Sequence, residues 1–241
     1  MIVKTPALIL KNIKYGDYDI ISKIYTQSNG IQSFIFKGVR KPSKKKNKKN
    51  LSLLQPLELD FKLNEKQQLR YCKDFKMQKP LLSLLTDMSK QAVSLYIADL
   101  LNECIKEEQA DEELFDFIWH SVLYLDEMEQ GTANFHLAFT VKLMPFLGIY
   151  PVENALVSNK YYDYQHNEWI IREPVHPNFF TPQQLYIMEQ LNTLSYNENR
   201  QVLTSRTERN TFLQQLLRYY RFQMEGMRNL KSIEVLEEVF D

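Results

Sequence analysis

Between residues 57 and 63, Leu57, Leu59, Phe61 and Leu63 alternate with Glu58, Asp60 and Lys62. A period of two, with one apolar and one charged face, describes a strand packed on one side and wet on the other. Residues 7–13, 20–26 and 31–37 read as three earlier strands. The second and third are joined through Gln27-Ser28-Asn29-Gly30, where Asn-Gly favours a tight hairpin. Residues 68–75 give a fifth strand, with Leu69, Tyr71, Lys73 and Phe75 expected on one face and Arg70, Cys72 and Asp74 on the other. Five short strands with no helix between them predict a small closed barrel in meander order. An OB-fold and an SH3-like barrel both satisfy the pattern, and the OB-fold is the commoner nucleic-acid binder of this size.

At Pro80 the period lengthens to about 3.6. Leu81, Leu85, Met88, Ala92, Tyr96 and Leu100 mark one face of a long helix. Asp111-Glu112-Glu113 places acid where the next helix begins, as the macrodipole favours, and Leu114, Ile118, Val122, Leu125 and Met128 form its apolar stripe. A third helix is expected over residues 134–144, ended by Pro145 and Gly148. Thr181-Pro182-Gln183-Gln184 supplies an N-cap, a proline at N1 and a glutamine at N3. Helical periodicity then runs over residues 185–191, 212–224 and 232–239, and the aromatic stretch 152–177 predicts a hairpin of 161–164 with 169–171. The expected fold class is α+β: an N-terminal five-stranded OB-fold barrel over residues 1–79, then a C-terminal all-helical domain over 80–241. Residues 152–180 form a small β-hairpin insert in the helical domain.

The formal net charge of zero conceals a division. Residues 1–80 hold 18 Lys+Arg and 6 Asp+Glu, 18 − 6 = +12, and residues 81–241 hold 12 and 24, 12 − 24 = −12. Such asymmetry points to a nucleic-acid surface on the first part. The basic charge peaks after the third strand: Lys37, Arg40, Lys41, Lys44, Lys45, Lys46, Lys48 and Lys49 occur with no acid among them. A loop of this kind repels itself until a polyanion neutralises it, and each phosphate it meets releases counterions. The plainer reading is a solvated loop. Tyr15, Tyr18, Tyr25, Phe34, Phe36, Tyr71 and Phe75 interleave with the cations. Most of them are expected in the barrel core, and one or two on a groove where bases stack.

Catalytic constellations are missing from the sequence. His120, His136, His166 and His176 show no metalloprotease spacing, and there is no phosphate-binding glycine loop. Cys72 and Cys104 have no motif spacing, so neither a disulfide framework nor a cysteine zinc site is supported. No apolar run reaches the ~18 residues of a membrane span, and no cleavable leader is read at the N-terminus. The expectation is a non-enzymatic, cytoplasmic, nucleoid-associated protein without cofactor, metal or membrane contact. The competing reading is an OB-type RNA-binding or translation-associated module with a helical docking domain.

Several stretches resemble the RecO family of bacterial recombination mediators. They are Lys37-Gly38-Val39-Arg40-Lys41-Pro42, Gln55-Pro56-Leu57, the segment from Phe135-His136-Leu137-Ala138 to Leu147-Gly148-Ile149-Tyr150-Pro151, and Leu230-Lys231-Ser232. They are collinear over nearly the whole chain. The resemblance implies binding of single- and double-stranded DNA and annealing of complementary strands. It also implies partnership with RecR, recognition of the acidic, Phe-terminated tail of single-stranded-DNA-binding protein and, indirectly, loading of RecA. The DNA-contacting residues expected on this basis are Lys37, Arg40, Lys41, Lys44, Lys45, Lys46, Lys48, Lys49 and Arg70. Phe139, Lys142 and Phe146 are expected to take the tail, since Lys142 is the only Lys or Arg between Glu107 and Glu153. The family often carries a four-cysteine zinc insert. This chain lacks those cysteines, so its insert is expected to be zinc-less and held by Tyr161, Tyr162, Tyr164 and Trp169. His136 stands where the family has Glu, and Ile233 where many members have Arg.

Overall fold

The computed structural model describes residues 2–41, 51–64, 68–106, 109–151 and 160–240. They fall into two compact units, Met1–Glu127 and Met128–Asp241.

The first unit opens with strands β1 (Ile2–Tyr15), β2 (Asp19–Thr26), β3 (Gly30–Phe36), β4 (Pro56–Lys62) and β5 (Leu69–Met77). They close into the expected barrel, but in the order β1-β2-β3-β5-β4 and not as a meander. β3 pairs with β5 in parallel, Ser33 opposite Leu69 and Ile35 opposite Tyr71, and β4 returns antiparallel to β1. Ala7, Ile9, Ile24, Phe34, Leu57, Leu59 and Phe61 fill the interior, with the rings of Phe34 and Phe61 edge to face at 5.0 Å. The alternation of β4 is thus borne out.

β5 departs from its expected phase. Asp60 of β4 lies opposite Asp74, and the next residue, Phe61, lies opposite Cys72, so Lys73 is an extra residue on β5. Such a bulge reverses which side chains face inward on its two sides. Before it, Arg70 is 5% exposed whereas Leu69 and Tyr71 are 39% and 58% exposed. After it, Phe75 packs against the core and meets Phe36 edge to face at 5.1 Å.

The long helix expected after Pro80 is two: α1 (Leu82–Thr86) and α2 (Met88–Cys104). Asp87 between them is extended, and its side chain accepts the Lys90 N–H at 3.1 Å, capping α2. The break resets the helical phase, which leaves Leu85 and Met88 exposed although the unbroken pattern puts them on the inner stripe. α3 (Glu112–Glu127) follows, and Phe115 on it packs against Tyr25 of the barrel with ring centres 5.5 Å apart.

In the second unit α4 (Thr132–Leu143) is buried nearly all round, with Phe135, Leu137, Ala138, Phe139, Val141 and Leu143 inside. Strands β6 (Tyr161–Asp163) and β7 (Glu168–Ile170) form the expected hairpin, and β8 (Phe179–Phe180) pairs on the other side of β6. Tyr162 packs on Trp169 at 4.9 Å, and Tyr164 on Phe180 at 5.4 Å. α5 (Pro182–Thr193) begins with the capping box read from Thr181 and Gln184. α6 (Arg206–Gln223) has a second box from Ser205 and Glu208, and α7 (Ser232–Val239) is the last helix among the described residues. No helix among the described residues is long and apolar enough to cross a membrane.

Candidate nucleic-acid interface

The basic segment leaves the barrel at a fixed point. The Gly38 N–H donates to Asp19 Oδ1 at 2.7 Å, and the Arg40 N–H to the Tyr18 carbonyl at 2.9 Å, which ties the end of β3 to the β1–β2 turn. Gly38 has φ +67°, a left-handed conformation that glycine adopts without strain. The segment re-enters at a second fixed point. Asn12 Nδ2 donates to the Leu51 carbonyl at 2.5 Å, and Ser22 Oγ to Asn12 Oδ1 at 2.5 Å. Lys44, Lys45, Lys46, Lys48 and Lys49 lie outside the described residues, between these two attachments.

Around the first attachment, cations stand over exposed rings. Lys37 Nζ is 4.8 Å from the centre of the Tyr71 ring, and Lys41 Nζ is 5.8 Å from that of Tyr18. Both tyrosines are about half exposed, as is Tyr15 beside the β1–β2 turn. Arg40 Nη1 donates to the Gly16 carbonyl at 3.4 Å. The arrangement offers positive charge for phosphates and aromatic faces for bases on one end of the barrel. Among the seven aromatics considered from the sequence, Tyr25, Phe34 and Phe36 are core residues, and Tyr15, Tyr18 and Tyr71 are on the surface. The outward turn of Tyr71 depends on the Lys73 bulge, which no residue type announces.

Arg70 does not join this surface. It faces inward at 5% exposure, and its Nε makes no hydrogen bond among the described residues. Only 5% of the residue is accessible to a phosphate, so its place in the expected contact set finds no support in this burial.

The residues expected to take a partner tail are not brought together as an open slot. Phe139 is fully buried because α4 is the central helix of its unit. Lys142 is half-buried, its Nζ donates to the Asn192 carbonyl at 2.6 Å and stands 5.7 Å from the centre of the Tyr196 ring, and burial lowers its pKa. Phe146 is 37% exposed. Periodicity placed Phe139 and Lys142 on α4, but α4 is buried nearly all round, and a single-helix reading of the sequence cannot show that.

Residues 1–81 match the family model described as "Recombination protein O N terminal", and residues 85–233 the one described as "Recombination protein O C terminal". The chain is 30% identical over 241 residues to the DNA repair protein RecO of Azobacteroides pseudotrichonymphae, covering all of both chains. It is 33% identical over 247 residues to that of Bacteroides fragilis strain ATCC 25285 and 31% identical over 245 residues to that of Flavobacterium psychrophilum, again at full length in both.

Proposed function

The chain belongs to the RecO family of DNA repair and recombination proteins, which are not catalysts, and we propose that it works as a recombination mediator binding DNA through the barrel end around Tyr18, Lys37, Lys41 and Tyr71. The observation that carries this reading is the pairing of two exposed rings, Tyr71 with Lys37 and Tyr18 with Lys41, where the basic segment begins. Cations over rings meet the two demands of an extended single strand at once, backbone charge and unpaired bases. Lys44, Lys45, Lys46, Lys48 and Lys49 add sequence-independent phosphate contacts, which serve duplex as well as single strands. On this reading the protein anneals complementary strands and, with RecR, helps RecA onto strands coated by single-strand-binding protein. In the second unit the exposed Phe146 and the half-buried Lys142 are the remaining candidates for that protein's acidic tail, since Phe139 is fully buried.

The test is annealing of complementary oligonucleotides coated with the cognate single-strand-binding protein, with and without its tail. Faster annealing that depends on the tail is expected. Annealing no faster than the spontaneous rate, or equal competition by any polyanion, would remove the mediator reading. Preference for RNA of the same sequence would instead favour recognition of the 2′-hydroxyl.

A further inference from the structure

The insert in the second unit gathers three donor groups that DNA binding leaves unused. Asp163, at the end of β6, lies between Glu168 of β7 and Phe179 of β8, and its side chain is 6% exposed. Its Oδ1 accepts the N–H groups of Gln165 and His166 at 2.9 and 3.2 Å, so the turn itself orients the carboxylate. Its Oδ2 faces His166 Nδ1 at 2.7 Å and His176 Nε2 at 3.2 Å. One ligand atom from each of the three lies within 4.8 Å of the other two.

A zinc held by four cysteines does not fit this chain. Cys72 is on β5 and Cys104 on α2, both outside the insert, and burial pushes the Cys104 thiol up to about 12. A carboxylate with two imidazoles is a different donor set, of a kind that zinc accepts with water in the remaining position. Bonds of about 2.0–2.2 Å put neighbouring ligands of a tetrahedral zinc roughly 3.3–3.5 Å apart. The His176 edge, 3.2 Å, is already near this, and the His166 ring, 55% exposed, has room to turn so that its 2.7 Å edge opens and the third edge adjusts. We propose that Asp163, His166 and His176 form a binding site for one divalent transition-metal ion of the zinc class.

The metal-free geometry fixes what capture changes. The Asn178 N–H donates to His176 Nδ1 at 3.2 Å, so Nε2 carries the proton that faces Asp163. A cation on Nε2 takes the lone pair there, so the ring's single N–H proton moves from Nε2 to Nδ1, which breaks the contact with Asn178. Just beyond, Arg218 donates to the Pro177 carbonyl at 3.4 Å and Gln215 to that of Phe179 at 2.5 Å. The ion thus fastens the β6–β7 turn to a segment that α6 already holds.

Untagged full-length protein, dialysed against Zn(II) and then against metal-free buffer, should retain close to one zinc per chain. Asp163→Asn and His176→Gln should each retain less than a tenth of that, and Cys72→Ser all of it. Co(II) should give visible d–d bands without a thiolate charge-transfer band, and Zn(II) should move the Asn178 amide resonance. These last two measurements use the wild type, so a variant that unfolds does not decide the matter. Failure of the wild type to hold zinc, an unmoved Asn178 amide, or zinc retained by folded Asp163→Asn would each overturn the site.

Discussion

The Lys37 ammonium lies 4.8 Å from the centre of the Tyr71 ring, joining the residue that follows β3 to the outward face of β5. The two strands are parallel neighbours, with Ile35 opposite Tyr71, so the barrel's own register sets this pair.

Tyr71→Ala should weaken single-stranded DNA binding by about 1–3 kcal/mol, roughly five- to 150-fold, because a stacked base loses its platform. Tyr71→Trp should restore it, and affinity for duplex should change little. Fluorescence anisotropy with matched single- and double-stranded oligonucleotides reads both. An equal loss on the two substrates would mean that the ring supports the barrel and does not meet bases.

Changing Lys44, Lys45, Lys46, Lys48 and Lys49 together to Ala should weaken binding alike for all sequences. If each meets a phosphate, the slope of log K against log salt for single strands should fall by about 3–4 units. An unchanged slope would assign these lysines to solvent.

Arg70→Ala should do the opposite. The salt slope should stay as in the wild type, while the barrel loses roughly 1–3 kcal/mol through the packing of the buried stem. Urea denaturation and a salt titration on the same sample test the contrast, and a reduced slope in a fully stable variant would return Arg70 to the interface.

Burial holds His136 down to about 3, against 6.5 for a free histidine. Between these values the unfolded chain binds the extra proton, so this residue lowers stability as pH falls from about 6.5 towards 3 and leaves it unchanged above. From pH 7 to pH 4.5 the loss should be on the order of 2–3 kcal/mol. His136→Gln should flatten the dependence over that window. Chemical denaturation at the two pH values measures it, and identical slopes in both proteins would show that other groups carry the acid sensitivity.

The parts of this fold that local chemistry dictates are legible in the sequence. The alternation at Leu57, Leu59 and Phe61 and the capping box at Thr181 and Gln184 each depend on residues close in sequence. What escaped depends on distant pairing or on a single extra residue. The parallel pairing of β3 with β5 joins Ser33 to Leu69, and the bulge at Lys73 turns Arg70 inward against a simple alternation. The split at Asp87 interrupts a stripe that reads as continuous. His176 meets Asp163 only because β8 pairs with β6, so a search for close metal-ligand spacings passes over both.

The two attachments of the lysine-rich segment have a bearing on how the protein can vary. Asp19 and Tyr18 hold one end and Asn12 the other, all on residues of the barrel or its turn. Closing a longer loop between fixed ends adds only about 0.6 kcal/mol for each doubling of its length. On the proposed DNA-binding reading, the number of lysines between Lys41 and Leu51 sets the salt dependence of binding, while the attachment bonds lie on barrel residues that changes in that number do not replace.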